Sequence, residues 1–438
     1  MSSKIGVGLL GLGTVGTGVA KIINDNEGRH PLVSRLELVK IAVRDLSKER
    51  SISIPISKLT QDTKEIINDP AIQIVIEVMG GIEPARTLIL QAIQAGKSVV
   101  TANKAVIARH GKEIDLAAKK AGVYVLSEAA VGGGIPIIEP LKQSLGGNKI
   151  TKISGIINGT TNYILSRIAK EGAAYENVLK DAQALGYAEA NPAADVEGLD
   201  AADKIAILSG LAFGGNINRE LISTKGIDQL ESIDVKYASR LGYGVKLLAI
   251  AQKVKNIPSI NESLPLAVWV EPTLVPTEHP LAGVNGVNNA ILVEGEPIGE
   301  VMFYGPGAGS GPTASAVVAD ILNIAGIQLM GIEGHHLDPL LSASSWRECH
   351  LVDKKDIIQK YYLRVLTEDF PGVIGAIGSI FGEKDVSIES IVQFDSSNNQ
   401  AEIVIITHEG RRGQIEESIS EIKKLKEVKK IASTLGCL

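Results

Sequence analysis

The sequence predicts an α/β chain in three parts: an N-terminal doubly wound parallel sheet, an α+β middle segment, and a small C-terminal module of βαββαβ order. Three observations predict it. An apolar run, Ile5 to Leu10, enters a glycine-punctuated turn and then a helical stretch within the first 25 residues. Further apolar runs alternate with helical patterns as far as Leu126. From about Ile357 the pattern changes to the short strands and helices of a separate module.

Composition bounds the function classes. At 438 residues the chain exceeds one ordinary core, so two or three domains are expected. A 45% hydrophobic content with only 4% aromatic residues and 46 glycines suits aliphatic α/β layers. A net charge of -6 argues against a general nucleic-acid or membrane-surface binder. The two cysteines, Cys349 and Cys437, have no paired spacing, which argues against a disulfide framework or a cysteine zinc site. The chain runs from Met1 straight into a strand without a secretory h-region, and no stretch approaches an uncharged apolar 18-mer. A cytoplasmic protein without a membrane partner is expected.

The first 130 residues read as a Rossmann dinucleotide-binding domain. The turn Gly11-Leu12-Gly13-Thr14-Val15-Gly16 follows the first strand and precedes a helix predicted over Thr17 to Asn24. Gly11, Gly13 and Gly16 suit a tight turn, close approach of backbone to a pyrophosphate, and close helix–strand packing. Thr14 and Val15 would present N–H groups at the positive end of the helix. Leu36 to Val43 is the second strand, and Arg44 and Asp45 follow it. Arg44 suits the 2′-phosphate of NADP, while Asp45 suits the ribose hydroxyls of NAD. Ile72 to Val78, Lys97 to Val100 and Tyr124 to Leu126 are further strands, with a helix from Glu83 to Ala95 opening at Pro84. Thr101-Ala102-Asn103-Lys104 lies beyond the C-terminal end of a parallel strand, where such sheets bind ligands. Lys104 is there either as a placed cation or as a surface lysine at a helix start.

The middle segment, residues 131–304, carries polar groups in apolar settings. Glu128-Ala129-Ala130-Val131-Gly132-Gly133-Gly134-Ile135-Pro136 fits a domain hinge, or a loop whose carbonyls hold a hard cation beside the Glu128 carboxylate. Ser154 to Tyr163 is a small, polar, glycine-punctuated stretch suited to a small polar ligand. Glu189, Asp195, Glu197 and Asp200 crowd 12 residues without a histidine, a pattern that suits a substrate ammonium better than a catalytic divalent metal. Asp195 and Glu197 also read as N-capping acids of a polar loop. Leu199 to Leu211 is a helix on which Lys204 shares a face with Leu208 and Leu211, and Asp200 sits one turn before it. Such a lysine either snorkels to water beside its ion pair or has a chemical task.

Taken together, Gly11 to Gly16, Thr101 to Lys104, Gly155 to Asn162, Gly186-Tyr187-Ala188-Glu189 and Gly198-Leu199-Asp200-Ala201-Ala202-Asp203-Lys204 resemble homoserine dehydrogenase over about the first 350 residues. The resemblance implies NAD(P)H-dependent interconversion of L-aspartate 4-semialdehyde and L-homoserine, on the route to threonine and methionine. It implies Lys204 as the proton donor and acceptor, with Lys104 as its catalytic and cofactor-side companion. It gives Glu189 the substrate ammonium, and Asp200 the orientation of the hydroxyl and of Lys204. Thr160 and Gly159 would lie by the substrate, and Gly186 and Gly305 would line the cofactor. Glu128, Val131, Gly133 and Ile135 match the family's sodium loop. Ala194 stands where some members carry an acid, which leaves the part played by Asp195 open. A homodimer or homotetramer is expected. The chemistry is coherent, because hydride addition to an aldehyde leaves an alkoxide that a nearby ammonium stabilises and protonates.

Beyond Gly311, a helix over Thr313 to Ile324 returns to the cofactor domain, within a segment near 305–340. The His335-His336 pair and His350 read as structural. The C-terminal module, residues 357–438, reads as strand Tyr361–Thr367, helix Gly372–Gly382, strand Val386–Gln393, strand Gln400–Thr407, helix Gly413–Lys424 and strand Val428–Thr434, the ferredoxin-like order. Asp369-Phe370-Pro371-Gly372-Val373-Ile374 resembles the ACT domains that sense amino acids. That resemblance implies feedback by L-threonine; dimerisation without a ligand is the alternative.

Overall fold

The computed structural model describes residues 4–254, 262–330, 337–342, 345–394 and 400–438. They fall into two compact units interleaved along the chain. The first comprises residues 1–150, 203–220 and 289–348, and the second 151–202, 221–288 and 349–438. His335 and His336 lie outside the described residues.

The first unit is built on a six-stranded parallel sheet. Its strands are β1 (Ile5–Leu10), β2 (Leu36–Ala42), β3 (Leu59–Thr60), β4 (Ile74–Glu77), β5 (Ser98–Thr101) and β6 (Val125–Leu126), in the order β3-β2-β1-β4-β5-β6. The order reverses between β1 and β4, which creates the crevice that doubly wound sheets use for ligands. β1 and β4 are buried along their whole length, as expected of a parallel sheet covered on both faces. Helix Ala85–Gln94 contributes Leu88, Ile89, Ala92 and Ile93 to one covering layer.

The other face is covered by helices Thr14–Asn24 and Ser310–Leu329. The second is longer at both ends than Thr313 to Ile324, and by length and composition it could cross a membrane. Here Ala314, Val317, Ile321 and Ile324 lie in the core cluster with Val7, Leu9 and Val19. The two helices meet at Gly18, where a Cβ would stand 2.7 Å from the Ser310 carbonyl oxygen and 2.8 Å from Ala314 Cβ. The glycine is there for a close approach of backbones, not for a turn. Asp320, on the same long helix, is fully buried and accepts the Glu128 backbone N–H at 2.8 Å. Its burial raises its carboxyl well above the ordinary carboxylate range.

The second unit joins parts of the middle segment to the C-terminal module. Strand Lys149–Ile156 pairs antiparallel with Tyr243–Lys253, which pairs antiparallel with Leu264–Pro276. The module's strands Ile358–Glu368, Ile388–Phe394, Gln400–Thr407 and Val428–Cys437 form an antiparallel sheet in the spatial order fourth, first, third, second. Helices Val373–Glu383 and Arg412–Ile422 cover one face, around Phe381, Ile377, Leu363 and Ile405. This is the predicted βαββαβ arrangement. The module continues the neighbouring sheet, because Thr273 and Leu274 pair in parallel with Gly436 and Cys437. Arg364 of its first strand is buried against Asp234 (Nε to Oδ1 2.6 Å) on helix Ser232–Arg240. His350 sits in short strand Cys349–Leu351 with Nδ1 3.1 Å from Ser263 Oγ, in keeping with a structural role. Neither Cys349 nor Cys437 is in a disulfide, and burial pushes the Cys437 thiol up to about 12.

Two outcomes test this packing. Gly18→Val must separate two touching helices, so thermal melting should report destabilisation of about 1–3 kcal/mol. Asp320 binds a proton more tightly folded than unfolded, where its value is about 3.9, so it stabilises at low pH and that contribution is lost as pH rises through the folded value. Asp320→Asn keeps the shape without the titration. Its melting temperature relative to the parent should therefore climb as pH rises from about 4 towards neutrality.

Candidate functional site

At the mouth of the first unit's sheet, the glycine turn has the form that a pyrophosphate needs. Gly11 has φ +105°, in the region that favours glycine, and a Cβ on it would lie 3.1 Å from the Val78 carbonyl oxygen. Gly13 caps the helix and has open space where a Cβ would stand. A Cβ on Gly16 would strike the Gly11 carbonyl. The helix begins at Thr14, a turn earlier than the periodicity indicated, with the Thr17 N–H donating to the Gly13 carbonyl at 2.9 Å, and Gly13 gives its first N–H groups no side-chain cap. Thr14 and Val15 therefore stand in the uncapped first turn, where an anion completes the hydrogen bonding.

Beyond β2, Arg44 is exposed, and its carbonyl accepts Gln61 Nε2 at 2.7 Å. Asp45 is drawn into its own loop. Its Oδ1 accepts the Ser47 N–H at 2.8 Å and Ser47 Oγ at 2.6 Å, and these bonds hold the carboxyl below its ordinary value. Arg50 folds back onto the Lys48 and Asp45 carbonyls.

β4 and β5 end at Glu77 and Thr101, both buried, with Thr101 Oγ1 donating to Glu77 Oε2 at 2.6 Å. Asn103 then caps helix Lys104–Ala121, accepting from the Val106 N–H and donating to the Gly81 carbonyl at 2.7 Å. Lys104 is the first residue of that helix. The helix dipole disfavours a cation at this end.

The loop after β6 is held by its own acid. Glu128 Oε1 accepts the N–H groups of Ile137 (2.5 Å) and Ile138 (2.9 Å), and Oε2 accepts that of Glu139 (2.7 Å). Burial nevertheless raises its carboxyl above the ordinary range. Both carboxylate oxygens are thus engaged with backbone. Gly132 and Gly133 have φ +74° and +57°, and a Cβ on Gly133 would lie 2.5 Å from the Gly307 carbonyl oxygen. The carbonyls of Glu128 and Gly132 accept turn bonds from Val131 and Ile135. Glu128, Glu139 and Asp320 offer ligand atoms within 4.8 Å of one another. Gly305 stands on strand Gly299–Pro306, where its Cβ would be 3.4 Å from Ile135 Cγ1.

The second unit gathers a polar cluster around Asn158, a residue that the sequence reading passed over. Asn158 caps helix Gly159–Glu171, its Oδ1 accepting from the Thr161 N–H (2.9 Å) and Oγ1 (3.1 Å). Its Nδ2 donates to Asp195 Oδ1 at 2.7 Å and to Asp200 Oδ2 at 2.9 Å. Two donors and two acceptor sites are all used, so the amide can face only one way. Thr160 Oγ1 donates to the Tyr187 carbonyl at 2.6 Å and lies 3.3 Å from Asp195 Oδ2. Asp195 therefore takes part in the cluster, despite Ala194 before it. Gly159 is the first residue of the helix, and Gly186 has φ +76° in the exposed turn before Tyr187. Glu189 is exposed on the same turn, with its carbonyl accepting Gln183 Nε2 at 3.1 Å.

Helix Leu199–Phe213 runs from the second unit into the first and carries Asp200 and Lys204 one turn apart. Both are under a tenth exposed, so Lys204 is no snorkelling surface lysine. Of the predicted residues, the first unit holds the glycine turn, Arg44, Lys104, the Glu128 loop, Lys204 and Gly305. The second holds Gly159, Thr160, Gly186, Glu189 and Asp200.

Comparison with known proteins gives this division a context. The family model described as homoserine dehydrogenase matches residues 136–322, that of the homoserine dehydrogenase NAD binding domain matches 11–128, and that of the ACT domain matches 361–427. A homoserine dehydrogenase of Synechocystis is 54% identical over 432 residues, covering 99% of each chain. The crystal structure of a homoserine dehydrogenase from Thiobacillus denitrificans aligns with a TM-score of 0.90 at 40% identity, covering 100% of this chain and 98% of that one. A hyperthermophilic archaeal homoserine dehydrogenase in complex with NADPH aligns with a TM-score of 0.61 at 26% identity, covering 74% of this chain and 98% of that one. A nicotinamide-binding Rossmann unit, the helix of Asp200 and Lys204, and a C-terminal ACT module occur in one chain with these relatives, and the chain belongs to the homoserine dehydrogenase family.

Proposed function

We propose that the family's reaction, the interconversion of L-aspartate 4-semialdehyde and L-homoserine, runs here on Lys204 as the proton carrier. The observation that carries this reading is a single helix holding Asp200 and Lys204 one turn apart, both buried, with Asp200 bonded by Asn158. A bound nicotinamide supplies or accepts the hydride. Lys204 gives its proton to the substrate oxygen as negative charge develops there, and neutral Lys204 takes it back in the oxidising direction. Asp200, its direction set by Asn158, orients the hydroxyl and the lysine. Glu189 receives the substrate ammonium, and Thr160 and Gly159 shape the pocket beside it. Lys104 adds positive charge on the cofactor side. Gly186 and Gly305 line the cofactor.

The cofactor reading favours NADP. Arg44 is exposed where the 2′-phosphate would lie, while Asp45 Oδ1 is engaged by Ser47. A related enzyme in complex with NADPH agrees with this choice. The sodium reading rests on carbonyl oxygens of Val131, Gly133 and Ile135 around the glycine turn. Glu128 adds negative charge nearby, its carboxylate oxygens already accepting three N–H groups. Threonine feedback would act through the ACT module, and assembly as a dimer or tetramer would pair these modules.

Four measurements test the reading. Lys204→Ala should lower kcat by about 10²–10⁴-fold while NADPH affinity by fluorescence titration stays within a few-fold; near-normal turnover removes the proposed acid/base. Arg44→Ala should raise the Kd of NADPH far more than that of NADH, and equal effects discard the 2′-phosphate role. Melting in sodium chloride should exceed melting in choline chloride at equal ionic strength if the loop holds sodium. Calorimetric titration with L-threonine should show binding; silence up to millimolar concentrations leaves the ACT module without that ligand.

A further inference from the structure

We infer that Asp203 is a positioning residue, which locks the helix of Lys204 to the helix of Lys104 and so sets the direction of the proton-carrying ammonium. The inference rests on the proposed roles of those two lysines. Asp203 precedes Lys204 on helix Leu199–Phe213 and is buried. Its Oδ1 accepts Arg109 Nη1 at 3.0 Å and Arg219 Nε at 2.5 Å. Arg109 lies on helix Lys104–Ala121, whose first residue is Lys104. Arg219 is itself buried, on the short turn Arg219–Leu221. All of these residues belong to the first unit.

A bridge is needed here because of what the helix lacks. Residues 201–209 are all buried, and apart from Asp203, Lys204 and Ser209 they are aliphatic. On a helix buried among aliphatic neighbours, the few charged side chains are the groups whose partners must be met in one direction. One residue step turns a helix by about 100°, so fixing the azimuth of Asp203 fixes that of Lys204. A carboxylate between two guanidinium groups on separate elements supplies that constraint, since a buried charge must find its partners. The same bond ties the helix of Lys104 to the helix of Lys204 through Arg109. Arg109 Nε also meets Glu220 Oε1 at 3.2 Å, which keeps the guanidinium in place.

The test is Asp203→Asn, which keeps shape and an acceptor oxygen, alongside Arg109→Ala, Arg109→Lys and the double variant Asp203→Asn/Arg109→Ala. A misaligned proton carrier costs rate, not cofactor binding, so Asp203→Asn should lower kcat by about 10- to 100-fold with the Kd of NADPH within about threefold. The double variant should fall no further than Asp203→Asn, and Arg109→Lys should recover part of the loss of Arg109→Ala. Folding is read by circular dichroism and melting. If Asp203→Asn fails to fold, the partly exposed Arg109 decides alone through its kcat and its lysine rescue. The proposal is overturned if both folded single variants keep kcat within twofold, or if kcat, NADPH affinity and melting fall in parallel. Lys204→Ala is run beside them: if it retains turnover, the acid/base reading fails, whereas an inactive Lys204→Ala beside fully active Asp203 and Arg109 variants sinks the positioning role alone.

Discussion

Three charged residues kept from water on one helix govern what the rest of this chain must do. Asp200, Asp203 and Lys204 are each under a tenth exposed, on a helix otherwise lined with alanine, isoleucine and leucine. Charges in such a place cost several kcal/mol each unless partners are brought to them. The fold brings them from far along the chain. Asn158 reaches Asp200 from the cap of another helix, and Arg109 and Arg219 reach Asp203. Those partners in turn need fixed backbones, which explains the capped helix starts at Asn158 and Asn103.

Much of this architecture was readable from local pattern. The parallel strands announce themselves as short apolar runs, and the C-terminal module by strands and helices of matching length. The glycine turn was legible too, because each of its glycines answers a local steric demand. Even so, the first helix begins at Thr14 and not Thr17, since periodicity marks where a helix buries a face, not where its hydrogen bonds start. What local pattern could not supply was partnership across sequence. Asn158 was visible as a cap signal before Gly159-Thr160-Thr161, but its bonds to Asp195 and Asp200 span 37 and 42 positions. Asp203 looked like one more polar residue of a motif, and only the packing of helix Lys104–Ala121 gives it a role. The Glu128 carboxylate looked available to a cation, and the backbone of residues 137–139 had already claimed it.

The C-terminal module is joined to its neighbours by more than a linker. Its last strand extends the sheet at Thr273 and Leu274, and Arg364 is held by Asp234, with Glu231 accepting Nη2 at 2.7 Å. Helix Ser232–Arg240, which carries Asp234, packs in turn on helix Gly159–Glu171, whose first residues lie in the Asn158 cluster. A ligand of the module can influence that cluster only through a preference between two arrangements of such contacts.

The interleaving of the two units also has a consequence for synthesis. The sheet face formed by Val7, Leu9 and Leu38 is covered partly by Ala314, Val317, Ile321 and Ile324. Those residues leave the ribosome roughly 190 residues after Leu126 completes the sheet. At about 5–20 residues per second, that face stays without its lid for about 10–40 s. The nascent chain therefore spends that interval with an apolar surface open to chaperones and to other nascent chains.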